Sequence, residues 1–281
     1  MRKYIYILFL VLLAAACRGR GPKPAPEPAK PAAFPMMEVP GVITDPAEAT
    51  AYLTEHFWDR VETVSGIDSL SLEQAVGTWT SLLITCPREV GEKAVPALVS
   101  RLEKLPAADA APLLDRVERY LYDPNSPVRD EDLYGVLSLA LSTSKATPDS
   151  LRTHYAYLAE KCALNAVGTK AKDFLFTDGG RIRSLYSVEA EKLLLVFGNP
   201  ECTACRELHE ALAQMDGIRD IVTILEINPD EDSVAKMETD KFYHIRAIPS
   251  MYLLDADKTV LLKDVPVERI LRALQQINQN Q

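Results

Sequence analysis

The sequence predicts an all-α N-terminal half followed by an α/β half, both placed after a leader that belongs to neither. From Asp45 to about Asn165, apolar residues recur at helical spacing and no convincing strand occurs. Beyond Lys172, short runs of strand-forming residues bounded by turn signals alternate with helical segments. The chain has 281 residues, which leaves about 240 after the leader, enough for two modest domains.

The leader has the pattern of an export signal. Arg2 and Lys3 precede one apolar run that is shorter than the roughly 20 residues needed to span a bilayer. The run ends in Leu-Ala-Ala-Ala directly before Cys17, which resembles a bacterial lipobox and implies that Cys17 is acylated; an ordinary signal peptide with a chance cysteine is the alternative. We expect a signal peptide at residues 1–16 and an extended, proline- and alanine-rich linker at 17–40.

The residues after Cys17 indicate on which side of the membrane the folded part lies. Surface-exposed lipoproteins of Bacteroidetes resemble one another in acidic residues just after the lipid-bearing cysteine, whereas this chain has Arg18 and Arg20 there. We therefore expect a lipid-anchored protein of the cell envelope, attached to the outer membrane and facing the periplasm.

Charge narrows the range of partners. The whole chain carries a net charge of −9, and residues 1–40 contribute six basic and two acidic side chains. Residues 41–281 therefore carry −13. A charge that negative argues against nucleic acid and against an anionic membrane surface as the partner of the folded part.

Helix signals recur through the predicted helical domain, residues 41–166. Asp45-Pro46 is a helix start, with an acidic N-cap and proline at the first helical position. Ser71-Leu72-Glu73-Gln74 has the pattern of a capping box. Trp58 and Trp79 have apolar neighbours and are expected in the core. Nothing here collects a nucleophile, a base and oxyanion donors at short spacing. Further helices are expected over 88–105, 107–122, 131–142 and 149–163.

The second half, residues 167–281, starts with a hairpin signal around Asp178-Gly179-Gly180. The continuous apolar run "KLLLVFG" predicts a central strand covered on both faces, and "IVTILEIN" predicts a second buried strand. "MYLLD" and "TVLLK" flank a turn and predict an antiparallel hairpin. Helices are expected over 203–215 and 267–277.

The segment "NPECTACREL" places Cys202 and Cys205 where the first buried strand passes into a helix. This order, with Ile248-Pro249 before the last hairpin, resembles the thioredoxin fold. "AKDFLFTDGGRIRSLYSVEAEKLLLVF" is similar to the opening of its membrane-tethered TlpA/ResA-type branch. "RYLYDPNSPVRDEDLYGVL" and "ALNAVGTKAKDF" resemble the helical domain of unknown function that precedes thioredoxin-like domains in Bacteroidetes lipoproteins.

The resemblance implies a role for each of four residues. Cys202, at the N-terminal end of a helix whose dipole favours an anion, would be the nucleophile that attacks a substrate disulfide. Cys205 would be the resolving cysteine that releases the product. Pro249 would be the cis-proline that lies against the pair, and Ile248 would tune specificity for an extended substrate.

Departures from the family pattern mark possible modulators. Glu201 replaces the usual aromatic residue, and a carboxylate beside Cys202 opposes thiolate formation. The buried acid that assists the resolving cysteine in many thioredoxins would fall at Val196, so Glu207 or a residue elsewhere would have to substitute. Arg206 could steady the thiolate, although a solvated charge is the usual role. Strongly oxidising members of this fold have a histidine between the two cysteines, which helps to hold the thiolate. Thr203-Ala204 contains none, so the resemblance implies a reducing or intermediate reduction potential for the pair.

The expected function is an envelope thiol–disulfide oxidoreductase without a cofactor. It would reduce or exchange disulfides in envelope proteins and be re-reduced by a membrane electron donor. The alternative is a non-catalytic envelope interaction protein in which Cys202–Cys205 is a structural disulfide. With no second CxxC, zinc is not expected. Cys86 and Cys162 could bridge each other or remain free thiols; His209 and His244 could lie near the site.

Overall fold

We describe residues 32–279 from a computed structural model of the chain. From Ala33 onward the chain forms one compact unit, which contains both the helical and the α/β half. The predicted signal peptide, Cys17 and most of the predicted linker lie outside the described residues. Among residues 32–279, no helix combines the length and the apolar character that a bilayer span requires.

The N-terminal half is all-helical, as predicted. Its helices end within a few residues of the predicted positions, and short polar or proline-containing connections join them. The helices described are α1 (Pro46–His56), α2 (Ser69–Thr85), α3 (Arg88–Leu102), α4 (Ala107–Leu121), α5 (Glu131–Thr143) and α6 (Asp149–Cys162).

The N-cap residues of the first two helices are aspartates, which cap with a carboxylate and not with a hydroxyl. The Asp45 side chain accepts a hydrogen bond from the N–H of Glu48 at 2.9 Å, which confirms the predicted start of α1. The predicted capping box at Ser71 is wrong. Asp68 is the N-cap of α2, and its carboxylate accepts the N–H of Ser71 at 2.9 Å. Ser71 therefore lies within the first turn of α2 and is not its cap. Its own N–H is one of the free groups that the carboxylate of Asp68 satisfies.

The core of the helical half contains both tryptophans, as expected. Trp58 and Trp79 are 3% and 0% exposed and pack edge to face with their ring centroids 5.5 Å apart. The indole N–H of Trp79 donates to the carbonyl of Thr54 at 3.1 Å. Their role in this half is therefore packing.

The α/β half follows the predicted order. The first hairpin turns through Gly179 and Gly180, whose φ angles of 55° and 78° are accessible mainly to glycine. The domain boundaries at 40/41 and 166/167 stay predictions. The elements are β1 (Leu175–Asp178), β2 (Arg181–Ser184), β3 (Lys192–Phe197), α7 (Thr203–Ala213), α8 (Ile218–Ile221), β4 (Thr223–Ile227), α9 (Ser233–Phe242), β5 (Ser250–Asp255), β6 (Val260–Lys263) and α10 (Val267–Gln279).

A four-stranded sheet of order β4-β3-β5-β6 organises this half. β3 is the predicted central strand: it pairs in parallel with β4 and antiparallel with β5. The prediction that "IVTILEIN" is a second buried strand is wrong. β4 lies at the sheet edge, where only Ile227 of its residues is buried. Ile221, at the start of the apolar run, instead ends the short helix α8.

The two faces of the sheet have different cover. An aromatic cluster that includes Phe174, Phe197 and Tyr243 packs on one face. Helices α7 and α10 cover the other, where Val196 packs in the same cluster as Leu208. The fold therefore sets the beginning of α7 directly beyond the end of the central strand. This is where the two cysteines lie.

Candidate active site

Cys202 is the N-cap residue of α7. Its backbone is extended, with φ −72° and ψ 118°, and its Sγ accepts the backbone N–H of Cys205 at 3.2 Å. A sulfur in this position faces the unpaired N–H groups and the positive end of the helix dipole, which favour a thiolate. Cys202 is also partly exposed, so a substrate can reach it.

Asn199 shapes the loop that presents Cys202. Its side-chain Oδ1 accepts the N–H groups of Glu201 at 3.1 Å and Cys202 at 2.9 Å. These bonds form an Asx turn, a local structure that asparagine favours. The predicted site did not include this residue, although Asn199-Pro200 is a turn signal that could have identified it.

Cys205 lies one turn into α7 and is buried, with 3% of its surface exposed. Burial, followed by its contact with Cys202, raises the pKa of the Cys205 thiol to about 11. Gly198 allows this packing, since a Cβ atom at that position would come 3.0 Å from the Cys205 sulfur. The two cysteines therefore occupy unlike environments: one sulfur is reachable and held by the helix end, and the other is enclosed.

Val196 is buried beneath the site, so no acid occupies that place on the central strand. Its register partner on β4 is Glu226, whose carboxylate pairs with His209 Nε2 at 3.0 Å. His209 and Glu226 line a cavity of about 440 Å³ together with Cys205. The structure thus places His209 near Cys205, the predicted resolving cysteine.

Ile248 and Pro249 reach the site from the neighbouring strand. The peptide bond between them is cis, and the carbonyl oxygen of Ile248 lies 3.5 Å from the Sγ of Cys202, which donates to it. They meet because β5 starts at Ser250, the register partner of Phe197 at the end of β3. Ile248 and Pro249 are both partly exposed.

The three predicted modulators differ in their contacts. Arg206 does not contact the sulfur: its guanidinium donates to the carbonyl of Glu201 at 3.3 Å and to the hydroxyl of Thr203 at 3.2 Å. It therefore ties the loop to the first helical turn. Glu201 and Glu207 are exposed, and within residues 32–279 neither carboxylate forms a hydrogen bond or an ion pair. Their influence on the site remains a prediction.

The two cysteines of the helical half are free thiols in this structure. The Sγ of Cys86 lies 3.3 Å from the hydroxyl of Thr54. Cys162 is buried, and this burial, reinforced by nearby Glu131, raises its pKa to about 12. The environment of Cys162 therefore disfavours a reactive thiolate.

A buried charge cluster joins the two halves of the chain. Lys263, at the end of β6, has a side chain that is 1% exposed. Its ammonium donates to the carbonyls of Cys162 at 2.6 Å and Leu164 at 2.7 Å, and lies 3.3 Å from carboxylate oxygens of both Glu131 and Asp132. Such a cation needs several acceptors, because burial removes its hydration.

The loop before Pro249 is tied to the same cluster. His244 Nδ1 lies 2.5 Å from Glu131 Oε1, so His244 belongs to the junction of the two halves rather than to the sulfur site. Arg246 stacks on the Tyr122 ring, 4.0 Å from its centroid, and donates to the Tyr122 carbonyl. It also pairs with Asp264 at 3.0 Å. No local signal predicts these contacts, because their partners lie far apart in the sequence.

Three potential metal ligands occur within this cluster. Donor atoms of Glu131, Cys162 and His244 lie within 4.8 Å of one another. The 2.5 Å contact between Glu131 and His244 is a hydrogen-bond distance, and Lys263 already faces the other carboxylate oxygen. The chemistry fits an ion-pair network better than a metal site.

Comparison with known proteins is consistent with this two-part architecture. A family model described as a domain of unknown function (DUF5106) matches residues 16–165. A thioredoxin-like protein from Bacteroides caccae is 29% identical, and its crystal structure superposes with a TM-score of 0.74 over 86% of this chain and 98% of that chain.

Two further structures match smaller parts. The C-terminal domain of an uncharacterized protein from Bacteroides fragilis is 34% identical, covering 40% of this chain and 99% of that chain, with a TM-score of 0.37. A domain of a possible thiol-disulfide isomerase from Cytophaga hutchinsonii is 20% identical, covering 41% and 95%, with a TM-score of 0.33. Comparison with curated proteins gave no significant match. The Bacteroides caccae structure supports the predicted fold class, a helical half followed by a thioredoxin-like half.

Proposed function

The chain belongs to the DUF5106 family, defined by a domain of unknown function, and we propose that its thioredoxin-like half is a thiol–disulfide oxidoreductase of the cell envelope. One observation carries the proposal. The reachable sulfur of Cys202 caps α7, accepts the N–H of Cys205 and faces the Ile248 carbonyl. A nucleophile, a resolving thiol and a substrate-binding edge are thus within contact of one another.

The reaction proceeds in two exchanges. The Cys202 thiolate attacks one sulfur of a substrate disulfide, forms a mixed disulfide and releases the other substrate sulfur as a thiolate, which takes up a proton. Cys205 then loses its proton and attacks the Cys202 sulfur. The second substrate thiol leaves, and two electrons have passed from the protein dithiol to the substrate. A dithiol donor must reduce the resulting Cys202–Cys205 disulfide before the next cycle.

Ile248 and Pro249 supply the edge for an extended substrate. The Ile248 carbonyl already lies at contact distance from Cys202, and the two residues are partly exposed beside it. A peptide passing this edge would bring its disulfide to Cys202. Glu201 and Glu207 would adjust the reactivity of Cys202 through their charge, and Arg206 by holding the loop to the helix.

Reduction of insulin disulfides in the presence of dithiothreitol tests the proposal. Wild-type protein is expected to accelerate the precipitation of insulin chains, and Cys202→Ser is expected to reduce the rate to that of dithiothreitol alone. Cys86→Ser is the matched control, since it removes a thiol that lies in the helical half. Equal rates for wild type and Cys202→Ser would refute catalysis and leave a non-catalytic interaction protein.

A second variant identifies the substrates. Cys205→Ser removes the resolving thiol, so the mixed disulfide between Cys202 and a substrate should accumulate. The trapped proteins can be released by reductant and identified by mass spectrometry. Cys202→Ser/Cys205→Ser is the control, because it retains neither sulfur of the pair.

We also propose a cellular location for the protein, and this proposal is based on the sequence of the leader. Acylation of Cys17 would anchor the chain to the outer membrane, and the linker would hold the folded part in the periplasm, where a membrane electron donor re-reduces the pair. Metabolic labelling with a palmitate analogue should mark wild type and leave Cys17→Ala unlabelled. Labelling of both, or of neither, would contradict lipid attachment at Cys17.

A further inference from the structure

We propose that the helical half is a positioning element for the redox site. Through Tyr122 and Glu131 it holds the loop 243–249, whose Ile248 faces Cys202. This inference rests on the thiol–disulfide exchange proposed above, and it gives the domain of unknown function a specific task.

The first contact is made by Arg246. The carbon of its guanidinium lies over the Tyr122 ring, 4.0 Å from the ring centroid. The guanidinium also donates to the carbonyl of Tyr122, just beyond the end of α4. The Arg246 side chain is only 9% exposed. Desolvation strengthens a cation–π contact. Tyr122 is itself held, because it stacks on Tyr134 with the ring centroids 4.0 Å apart.

The second contact is made by His244. Its Nδ1 lies 2.5 Å from Glu131 Oε1, and the Glu131 side chain is fully buried. Lys263 faces the other oxygen of the same carboxylate at 3.3 Å. Glu131 is therefore a fixed acceptor, so a loop bonded to it cannot shift without breaking the cluster.

These contacts restrain the loop at the end that the sheet does not hold. Pro249 is followed by Ser250, which pairs with Phe197 on the central strand. At the other end, Arg246 and His244 are held by the helical half. Without those contacts, Ile248 would depend on β5, on the Arg246–Asp264 pair and on the buried Tyr243 ring, all within the α/β half, to stay beside Cys202. The substrate-binding edge should then lose its fixed position while Cys202 keeps its place on α7.

The predicted consequence is a defect in substrate binding, not in sulfur chemistry. Tyr122→Leu removes the ring beneath Arg246 and leaves the thioredoxin-like half unchanged in sequence. The KM for insulin should rise about fivefold, because losing one desolvated cation–π contact weakens binding by roughly this factor. The value of kcat should stay within about twofold of wild type. The rate at which iodoacetamide alkylates Cys202 should not change, because the α7 cap is intact.

Arg129→Gln is the matched control. Arg129 also joins the two halves, but it donates to the carbonyls of Asp264 and Val265, both at 2.9 Å, and not to the loop. Arg129→Gln should leave KM within about twofold of wild type. An equal rise in KM for both variants would overturn the proposal, because the loop would then have no special part in the effect.

A second variant covers the case in which Tyr122→Leu does not fold. Arg246→Lys keeps a positive charge opposite Asp264 and loses the planar contact with Tyr122. It should also raise KM and not kcat. Unchanged KM in a folded Tyr122→Leu or Arg246→Lys protein would refute the inference.

Hydrogen exchange separates this inference from the proposed function. Amides of residues 243–248 should exchange faster in Tyr122→Leu than in wild type or Arg129→Gln, with the rest of the α/β half unchanged. This measurement needs no turnover. A wild-type protein without insulin reductase activity would refute the proposed function, whereas unchanged loop exchange would refute the positioning role.

Discussion

The backbone N–H of Cys205 donates to the Sγ of Cys202 at 3.2 Å, so the first cysteine caps its own helix with its sulfur. In general, an N–H donor and the positive end of a helix dipole stabilise negative charge on a group in this position. The same geometry places Cys205 inside the protein, where burial opposes ionisation of its thiol. One short helical turn therefore gives the two sulfurs different chemistry.

Selective alkylation should reveal this difference. A brief pulse of iodoacetamide on reduced, folded protein at about pH 8 should modify Cys202 and spare Cys205, because the raised pKa of about 11 keeps the Cys205 thiol protonated. Peptide mass spectrometry measures both sites. Protein unfolded in urea is the control, where the two cysteines should react alike. Equal labelling in the folded protein would show that Cys205 is not enclosed.

Glu201 provides a test of local charge on the nucleophile. Glu201→Gln should increase the rate of Cys202 alkylation by about two- to threefold near neutral pH, because a neighbouring carboxylate disfavours the thiolate. The increase should shrink in high salt, since Glu201 is exposed.

Glu207→Gln is the matched control, because it removes another exposed carboxylate that lies in α7 beyond both cysteines. Its effect on the Cys202 rate should be smaller than that of Glu201→Gln. Equal effects of the two variants would mean that overall charge, and not the residue next to Cys202, sets the reactivity.

Sequence patterns predict the parts of this fold that depend on neighbouring residues. The helices, the hairpin through Gly179-Gly180 and the central strand "KLLLVF" follow from local periodicity and turn residues. The pairing of Cys202 with Cys205 can also be predicted from sequence, because the two residues are only one helical turn apart. The resemblance to thioredoxins then led to Ile248-Pro249, which the structure brings to the Cys202 sulfur.

The errors arise where a competing partner or the tertiary structure decides. Asp68 competes with Ser71 for the start of α2, and its carboxylate is the N-cap. An apolar run alone cannot distinguish the edge strand β4 from an interior strand. The junction of the two halves was missed entirely, because Glu131 and His244 are joined only by folding.

Lys263 should be a large contributor to stability. Lys263→Met leaves Glu131 and Asp132 without their shared cation and leaves two carbonyls without a donor. The free energy of unfolding should fall by about 3–5 kcal/mol, as for other buried ion pairs that lose one member. Urea denaturation followed by far-ultraviolet circular dichroism measures it.

Lys236→Met is the control for losing a lysine charge. Lys236 is paired with Asp240 at 3.5 Å, and its side chain is 53% exposed. Its removal should cost about 0.5 kcal/mol or less, because solvent screens an exposed pair. A comparable loss in the two variants would contradict the central place of Lys263 in the junction.

Asp109 should make the stability of the helical half depend on pH. The side chain is 1% exposed, and burial opposes its ionisation. The N–H groups of Val64 at 2.6 Å and Ser65 at 3.1 Å, with the hydroxyl of Thr63 at 2.8 Å, outweigh burial and lower the pKa of Asp109. Asp109→Asn should therefore reduce the free energy of unfolding by about 1–3 kcal/mol at neutral pH.

The difference between wild type and Asp109→Asn should follow the titration of this carboxyl. Because the folded pKa is lowered, the charge contributes fully above the ordinary value of 3.8, and its contribution is lost as pH falls through the folded pKa. Urea titrations at about pH 7, 5 and 3 should show a gap that is similar at the two higher pH values and narrower at the lowest. Asp115→Asn, whose side chain is 67% exposed and pairs with Arg119, should show a small difference throughout. A gap for Asp109→Asn that persists unchanged at low pH would mean that the amide disrupts packing and that the ionised carboxylate is not what holds the 63–65 turn.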